Sequence, residues 1–269
     1  MFIKNLKLFN FKNHSEKSFD FSPEINCFVG NNGAGKTNIL DALHYLSMAK
    51  SFLGNLDAQN ILHESDFFAI EAEIQGEEKN DIIKVQLPKE GKKIIKKNDK
   101  TYERIADHIG FLPSVMISPY DSNLISDGSE SRRKFLDAMI SQTDSDYLFA
   151  LIQYQKTLQQ RNALLKYFAK NRTFDLDSLE IYNEPLTKFG TQIFEKRQRF
   201  VASILPTIQH FYEIISKGNE KVTVIYESNL NEQNFEEILS ENLEKDRVLT
   251  YTSRGIQKDD LRFEMNGNL

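Results

Sequence analysis

The sequence predicts an α/β fold in which a strand-rich lobe is interrupted by an all-helical block. Three observations predict it. Residues 30–37 read GNNGAGKT, a glycine-rich loop between a short apolar run and an amphipathic stretch. The remainder of the first third alternates apolar and polar residues with period two, the mark of half-buried strands. From about residue 118 to residue 217 the apolar period lengthens to that of a helix.

Each element follows from its pattern. Ile25–Val29 (INCFV) is a short apolar run and reads as a buried central strand, with Cys27 as a small buried hydrophobe. After the loop, Ile39, Leu40, Leu43 and Leu46 share one helical face. Phe68, Ile70, Ala72 and Ile74, then Ile83, Val85 and Leu87, define two antiparallel strands separated by Gly76. KKIIKK (92–97) lies between turn signals and reads as part of a hairpin. Helices are expected over about 131–141, burying Phe135, Leu136 and Met139; over 145–170; and over 178–216, where Pro185 and Pro206 should end or kink the helix. Arg161, Lys166, Lys170 and Arg172 read as a solvated helix face. Val222, Val224 and Tyr226 return to period two, and the seven acids of 227–246 read as a solvated helical face. The lobes implied are 1–117 plus 218–269 for the strands and 118–217 for the helices.

Composition narrows the function classes. At 269 residues, 40% hydrophobic and 27% charged, the chain has ordinary globular usage. No apolar run reaches the ~20 residues of a membrane span and no signal peptide is present, so no membrane role and a cytoplasmic location are expected. The single cysteine excludes an internal disulfide, and the five scattered histidines give no metal-ligand spacing. A net charge of −5 excludes a generic polyanion binder and makes any nucleic-acid surface local.

GNNGAGKT fits G-x-x-x-x-G-K-[ST] in the strand–loop–helix context that motif requires. Gly30, Gly33 and Gly35 allow backbone N–H groups to curl around phosphate oxygens. The helix N-terminus adds roughly half a positive charge toward the same anion. Lys36 would reach the β- and γ-phosphates, and the Thr37 hydroxyl would sit on Mg²⁺. A glycine-rich turn that binds nothing is the alternative.

Asn10–His14 (NFKNH), Asn26 and Gly30–Ser47 (GNNGAGKTNILDALHYLS), followed by Lys50, Ser51 and Phe52, resemble the RecF family, relatives of the SMC and Rad50 heads. Three further segments are similar to RecF-specific elements: Ile117–Asp137, which ends in RRKFLD; Tyr154–Lys166, which contains RNALLK; and Thr252–Leu261 (TSRGIQKDDL). Leu53 stands where the family often has arginine, and Gly255-Ile256-Gln257-Lys258 replaces its Gly-Pro-His-Arg. The resemblance implies a P-loop ABC-type ATPase head lobe with an inserted helical lobe. It implies ATP and Mg²⁺ as cofactors, bound by Gly30, Asn31, Asn32, Gly33, Ala34, Gly35, Lys36, Thr37 and Asn38, with Thr37 on the metal. It further implies an ATP-dependent homodimer on double-stranded DNA near single-strand gaps, RecO- and RecR-type mediator partners, recombinase loading and a part in the SOS response to DNA damage. The family's Ser-x-Gly-Gln signature and its Walker B acids are not found, so no catalytic residue is identified. The chain is expected to be a C-terminally truncated member in which hydrolysis is uncertain. The alternatives are another SMC- or Rad50-like head, or a non-catalytic module that binds DNA or a partner protein.

Residues 79–104 carry nine Lys/Arg against four acids, a local balance of +5. Lys92, Lys93, Lys96 and Lys97 could contact DNA phosphates, or could simply solvate a strand edge. Arg132 and Arg133 open a helix, where cations oppose the dipole, which makes them the other DNA candidates.

Overall fold

The structure, a computed structural model, describes residues 1–54 and 56–267. The chain forms two compact units, 1–118 and 119–269. The sequence reading placed 218–269 with the strand lobe. Instead, its strands pair with each other and pack on helices of the second unit. Among the described residues no helix is long and apolar enough to cross a membrane.

In the first unit, strands β1 (Phe2–Phe11), β2 (His14–Asp20), β3 (Phe67–Gln75), β4 (Asn80–Pro88), β5 (Ile94–Lys97) and β6 (Lys100–Thr101) form one sheet in the order β2-β1-β3-β4-β5-β6. Every pairing is antiparallel. Register aligns the inward residues in rows: Leu8, Ile70, Val85 and Ile95 form one, and Leu6, Ala72 and Ile83 the next. All seven are buried. Helix α1 (Lys36–Met48) covers this face with Ile39, Ala42, Tyr45 and Leu46. Leu40, counted with that face in the sequence, is exposed. The other face is polar, and Lys84 reaches both Glu71 and Asp99, at 3.5 and 3.3 Å.

Residues 25–29 are not a strand. Among the described residues no neighbour pairs with them, so Ile25 and Val29 are 82% and 90% exposed. Cys27 is likewise exposed rather than buried.

The second unit contains α2 (Asn123–Ser126), α3 (Ser129–Ser141), α4 (Ser145–Asn171), α5 (Leu176–Ser216), α6 (Phe235–Glu241) and α7 (Leu243–Leu249), with the hairpin β7 (Val222–Glu227) and β8 (Asp260–Met265). Asp144 caps α4 by accepting from the Tyr147 N–H at 2.9 Å. Neither Pro185 nor Pro206 ends α5, which runs through both. Packing of α5 as a whole on α4, α6 and β7 offsets the N–H donor each proline lacks. Tyr147, Leu151 and Tyr154 of α4 pack with Leu186 and Ile193 of α5 and with Phe235 and Ile238 of α6. Gly190 permits the approach of α6, because a Cβ there would lie 2.1 Å from the Phe235 ring. On α3, Leu136 and Ile140 are buried while Phe135 is 39% exposed, so the buried stripe is turned from the expected one.

Two buried guanidinium groups organise this unit. Arg161, fully buried, donates to Asp246 and Thr252, each at 2.7 Å, and to Asn183 at 2.9 Å. Arg161 is therefore not on a solvated face, and Asp246 is not one of the solvated acids. Arg197 donates to Asp137 at 2.8 Å, to the Ile256 carbonyl at 2.9 Å and to Asp259 at 3.2 Å. Tyr147 donates to Asp137, and Tyr226 to Asp259. Burial pushes the Asp259 carboxyl above the ordinary carboxylate range against the hydrogen bonds it accepts.

Two predictions follow from these buried groups. Arg161→Ala leaves Asp246 charged and unpaired in the interior, so it should destabilise the second unit by about 3–5 kcal/mol, read from urea denaturation. In the first unit, His44 and His108 are held below their ordinary pKa, chiefly by burial. His108 Nε2 bonds the Leu46 carbonyl at 2.6 Å, and its buried Nδ1 has no partner among the described residues. The unfolded chain then takes up these protons before the folded one does. Stability should be full above about pH 6.5 and fall as pH drops below it, and His108→Gln should flatten the fall in a melting-temperature series over pH 5–7.

Candidate phosphate-binding loop

The loop between residues 29 and 36 ends at the first residue of α1. Gly30, Gly33 and Gly35 take φ of 150°, 83° and 90°, values L side chains rarely adopt. Gly35 is doubly constrained, because a Cβ there would lie 2.6 Å from Asn13 Oδ1 and from the His14 ring. Helix α1 begins with no side-chain cap and no acidic residue in its first turn. Its first amides and the positive end of its dipole therefore have no competing anion from the helix itself. Lys36 Nζ donates to the Gly30 and Asn31 carbonyls at 2.8 and 2.9 Å, which places the ammonium across the loop mouth. Asn31, Asn32, Ala34 and Thr37 are exposed, and Asn38 is half-buried. These residues fit a nucleotide's phosphates: open amides, one lysine on the loop and a hydroxyl on the first helical turn. Among the described residues no group of three His, Cys, Asp or Glu is placed to hold a metal ion.

The residues that support the loop carry no signal of that role in the sequence. Asp41 is fully buried on α1. It faces Lys12 Nζ at 2.6 Å and accepts from Ser51 Oγ at 2.8 Å and the Phe52 N–H at 2.6 Å. His44, one turn on, packs edge-on against the Phe52 ring at 5.4 Å. The far end of α1 is held by Lys93, which donates to the Ala49 carbonyl at 2.5 Å and pairs with Asp57 at 2.7 Å. The same ammonium lies 4.9 Å from the Tyr45 ring centre. A cation at a helix C-terminus complements the dipole.

The basic candidates thus separate by what they touch. In the first unit, Lys93 and Lys97 have partners: Lys97 pairs with Asp81 at 3.1 Å and sits 3.6 Å over the Phe111 ring. Lys92 is exposed and Lys96 half-buried, and neither makes an ion pair among the described residues. In the second unit, Arg132 binds both carboxylate oxygens of Asp260, at 2.6 and 3.0 Å, and the Leu124 and Asp127 carbonyls. Arg133 donates to the Asp259 carbonyl at 2.6 Å. These bonds join RRKFLD to the DD of TSRGIQKDDL, which accounts for both arginines within the fold.

Known proteins are similar to this chain in sequence and in fold. The family described as RecF/RecN/SMC N terminal domain matches residues 2–226. The DNA replication and repair protein RecF of Flavobacterium johnsoniae is 52% identical over 268 residues, covering 100% of this chain and 75% of that protein. The RecF of Phocaeicola vulgatus is 44% identical, covering 98% of this chain and 71% of its own length. A solved structure of the recombination mediator protein RecF-ATP, of the RecFOR pathway, superposes with a TM-score of 0.93 at 30% identity, over 99% of this chain and 74% of that one. An SMC head bound to the C-winged helix domain of ScpA shares the fold at a TM-score of 0.52 and 14% identity. With a family match over most of its length and relatives this similar, the chain belongs to the RecF family of DNA replication and repair proteins.

Proposed function

We propose that this chain binds ATP with Mg²⁺ at the 30–38 loop and uses the bound nucleotide to control a DNA-repair assembly. The observation that carries the reading is the uncapped, acid-free start of α1 behind a glycine loop in left-handed conformation. The 30% identity to RecF-ATP across 99% of the chain supports ATP as the ligand. Gly30, Asn31, Asn32, Gly33, Ala34 and Gly35 would cradle the phosphates through backbone amides. Lys36 would turn from its loop carbonyls toward the β- and γ-oxygens. Asn38 would steady the first helical turn, and the Thr37 hydroxyl would take a place on Mg²⁺.

ATP then acts as a switch. Bound nucleotide would join two copies of the protein on double-stranded DNA beside a single-strand gap, and loss of the γ-phosphate would release them. RecO- and RecR-type mediators would receive the marked junction for recombinase loading, within the SOS response to DNA damage in the cytoplasm. Names of the relatives support the repair role, and the pathway named for the solved RecF supports mediator partners. Lys92 and Lys96 are the DNA-contact residues the geometry favours, because the other four basic candidates already hold partners within the fold.

Lys36→Ala should weaken ATP binding about 10- to 100-fold, the worth of one charge-assisted contact, with an unchanged melt in the absence of nucleotide. Titration of labelled ATP into both proteins measures this, and equal affinities would overturn the site. Lys92→Gln/Lys96→Gln should weaken DNA binding similarly for all sequences and lower the slope of log K against log salt by up to about 2. Lys97→Gln should instead lower the melting temperature, since it removes the partner of Asp81.

A further inference from the structure

The carbonyl side of the phosphate loop is held by residues outside the loop. Asn13 Nδ2 donates to the Gly33 carbonyl at 3.3 Å. His14 Nε2 lies 3.2 Å from the Gly35 carbonyl, to which its Nε2–H form donates. Asn38 Nδ2 donates to Asn13 Oδ1 at 2.7 Å, so the first turn of α1 orients the Asn13 amide. The fit is close, since even a methyl group on Gly35 would collide with both residues.

The next residue back fixes this turn from beneath. Lys12, at φ 53°, sends its ammonium to the buried Asp41 carboxylate, and Asp41 also binds the 51–52 backbone and hydroxyl. Because Lys12, Asn13 and His14 are consecutive, an anchor at Lys12 leaves the next two side chains little freedom. In a trans peptide the carbonyl and the following amide point in opposite directions. Holding the Gly35 carbonyl on the turn side therefore leaves the Lys36 amide on the open side.

Resting on the nucleotide reading above, we propose that Asn13 and Asp41 are positioning residues. The 12–14 turn, locked by the Lys12–Asp41 pair, shapes the loop before any anion arrives. The ordering entropy that binding would otherwise cost has then already been lost on folding. Neither side chain need touch the nucleotide.

The test compares wild type and Asn13→Ala in the 269-residue chain. Asn13 is exposed, so the variant should melt within about 1 °C of wild type. Amide hydrogen exchange of residues 33–36, measured without nucleotide, should quicken several-fold, while exchange in β3 and β4 stays unchanged. ATP affinity should fall about fivefold, the worth of one neutral hydrogen bond. Asp41→Asn should quicken exchange in the same residues and in 51–53. A merely structural role for Asn13 would move the melt and leave the loop's exchange unaltered, and that result overturns the proposal. Quickened exchange with unchanged ATP affinity overturns it as well. If wild type binds no ATP, the nucleotide reading fails separately, and the exchange comparison still decides whether the turn shapes the loop.

Discussion

A carboxylate out of contact with water is the constraint on which the N-terminal unit depends. Asp41 sits on α1, the helix that covers the sheet and starts at the end of the glycine loop. Burying a lone carboxylate is costly, so the surroundings have to supply a cation and hydrogen-bond donors. Lys12 supplies the cation, and Ser51 and the Phe52 amide supply the donors. The cation and the two donors come from two different stretches of chain. Satisfying one carboxylate therefore fixes the β1–β2 turn, the start of the phosphate loop's helix and the segment after that helix in a single arrangement. Lys93 does the same at the other end of α1. Lysines from the sheet side of the unit thus fasten the helix near its middle and at its C-terminal end.

The second unit solves the converse problem. There the buried charges are guanidinium groups, and the carboxylates come to them. Arg161 on α4 collects Asp246, Thr252 and Asn183, while Arg197 on α5 collects Asp137 and Asp259. A planar guanidinium can satisfy several acceptors in fixed directions, which a lysine cannot do as rigidly. The RecF-like segments RNALLK, RRKFLD and TSRGIQKDD meet at these two groups. In the sequence they mark the family, and in the structure they hold the helices to the β7–β8 hairpin.

What was legible in the sequence was whatever periodicity encodes. Strands 67–75 and 80–88 alternate because one face is buried and the other is not, and α4 and α5 repeat because one stripe is buried. The glycine loop was legible as a loop because Gly30, Gly33 and Gly35 take backbone conformations that L side chains rarely adopt. Periodicity fails where burial depends on a distant partner. Residues 25–29 have strand composition, yet a strand needs a neighbour, and none lies beside them among the described residues. Arg161 sits at a position where an isolated helix would solvate a cation, and its distant partners Asp246, Thr252 and Asn183 explain its burial.

The same distinction governs how a chain of net charge −5 can capture an anion. Counting lysines suggested a basic hairpin and a basic helix start. Four of those six cations, Lys93, Lys97, Arg132 and Arg133, already serve acceptors inside the fold. Their charge is largely neutralised at short range, and at physiological salt little of it extends beyond about 8 Å. What remains for a phosphate is the first turn of α1, where peptide dipoles and aligned amides act together with the single Lys36 ammonium. Such a field is short-ranged and directional. It discriminates by shape, and it requires a loop that is already in place. On the proposed nucleotide reading, selection for a phosphate depends on the same buried contacts that fold the unit, because the residues holding the loop and those holding the helix are joined through Asp41.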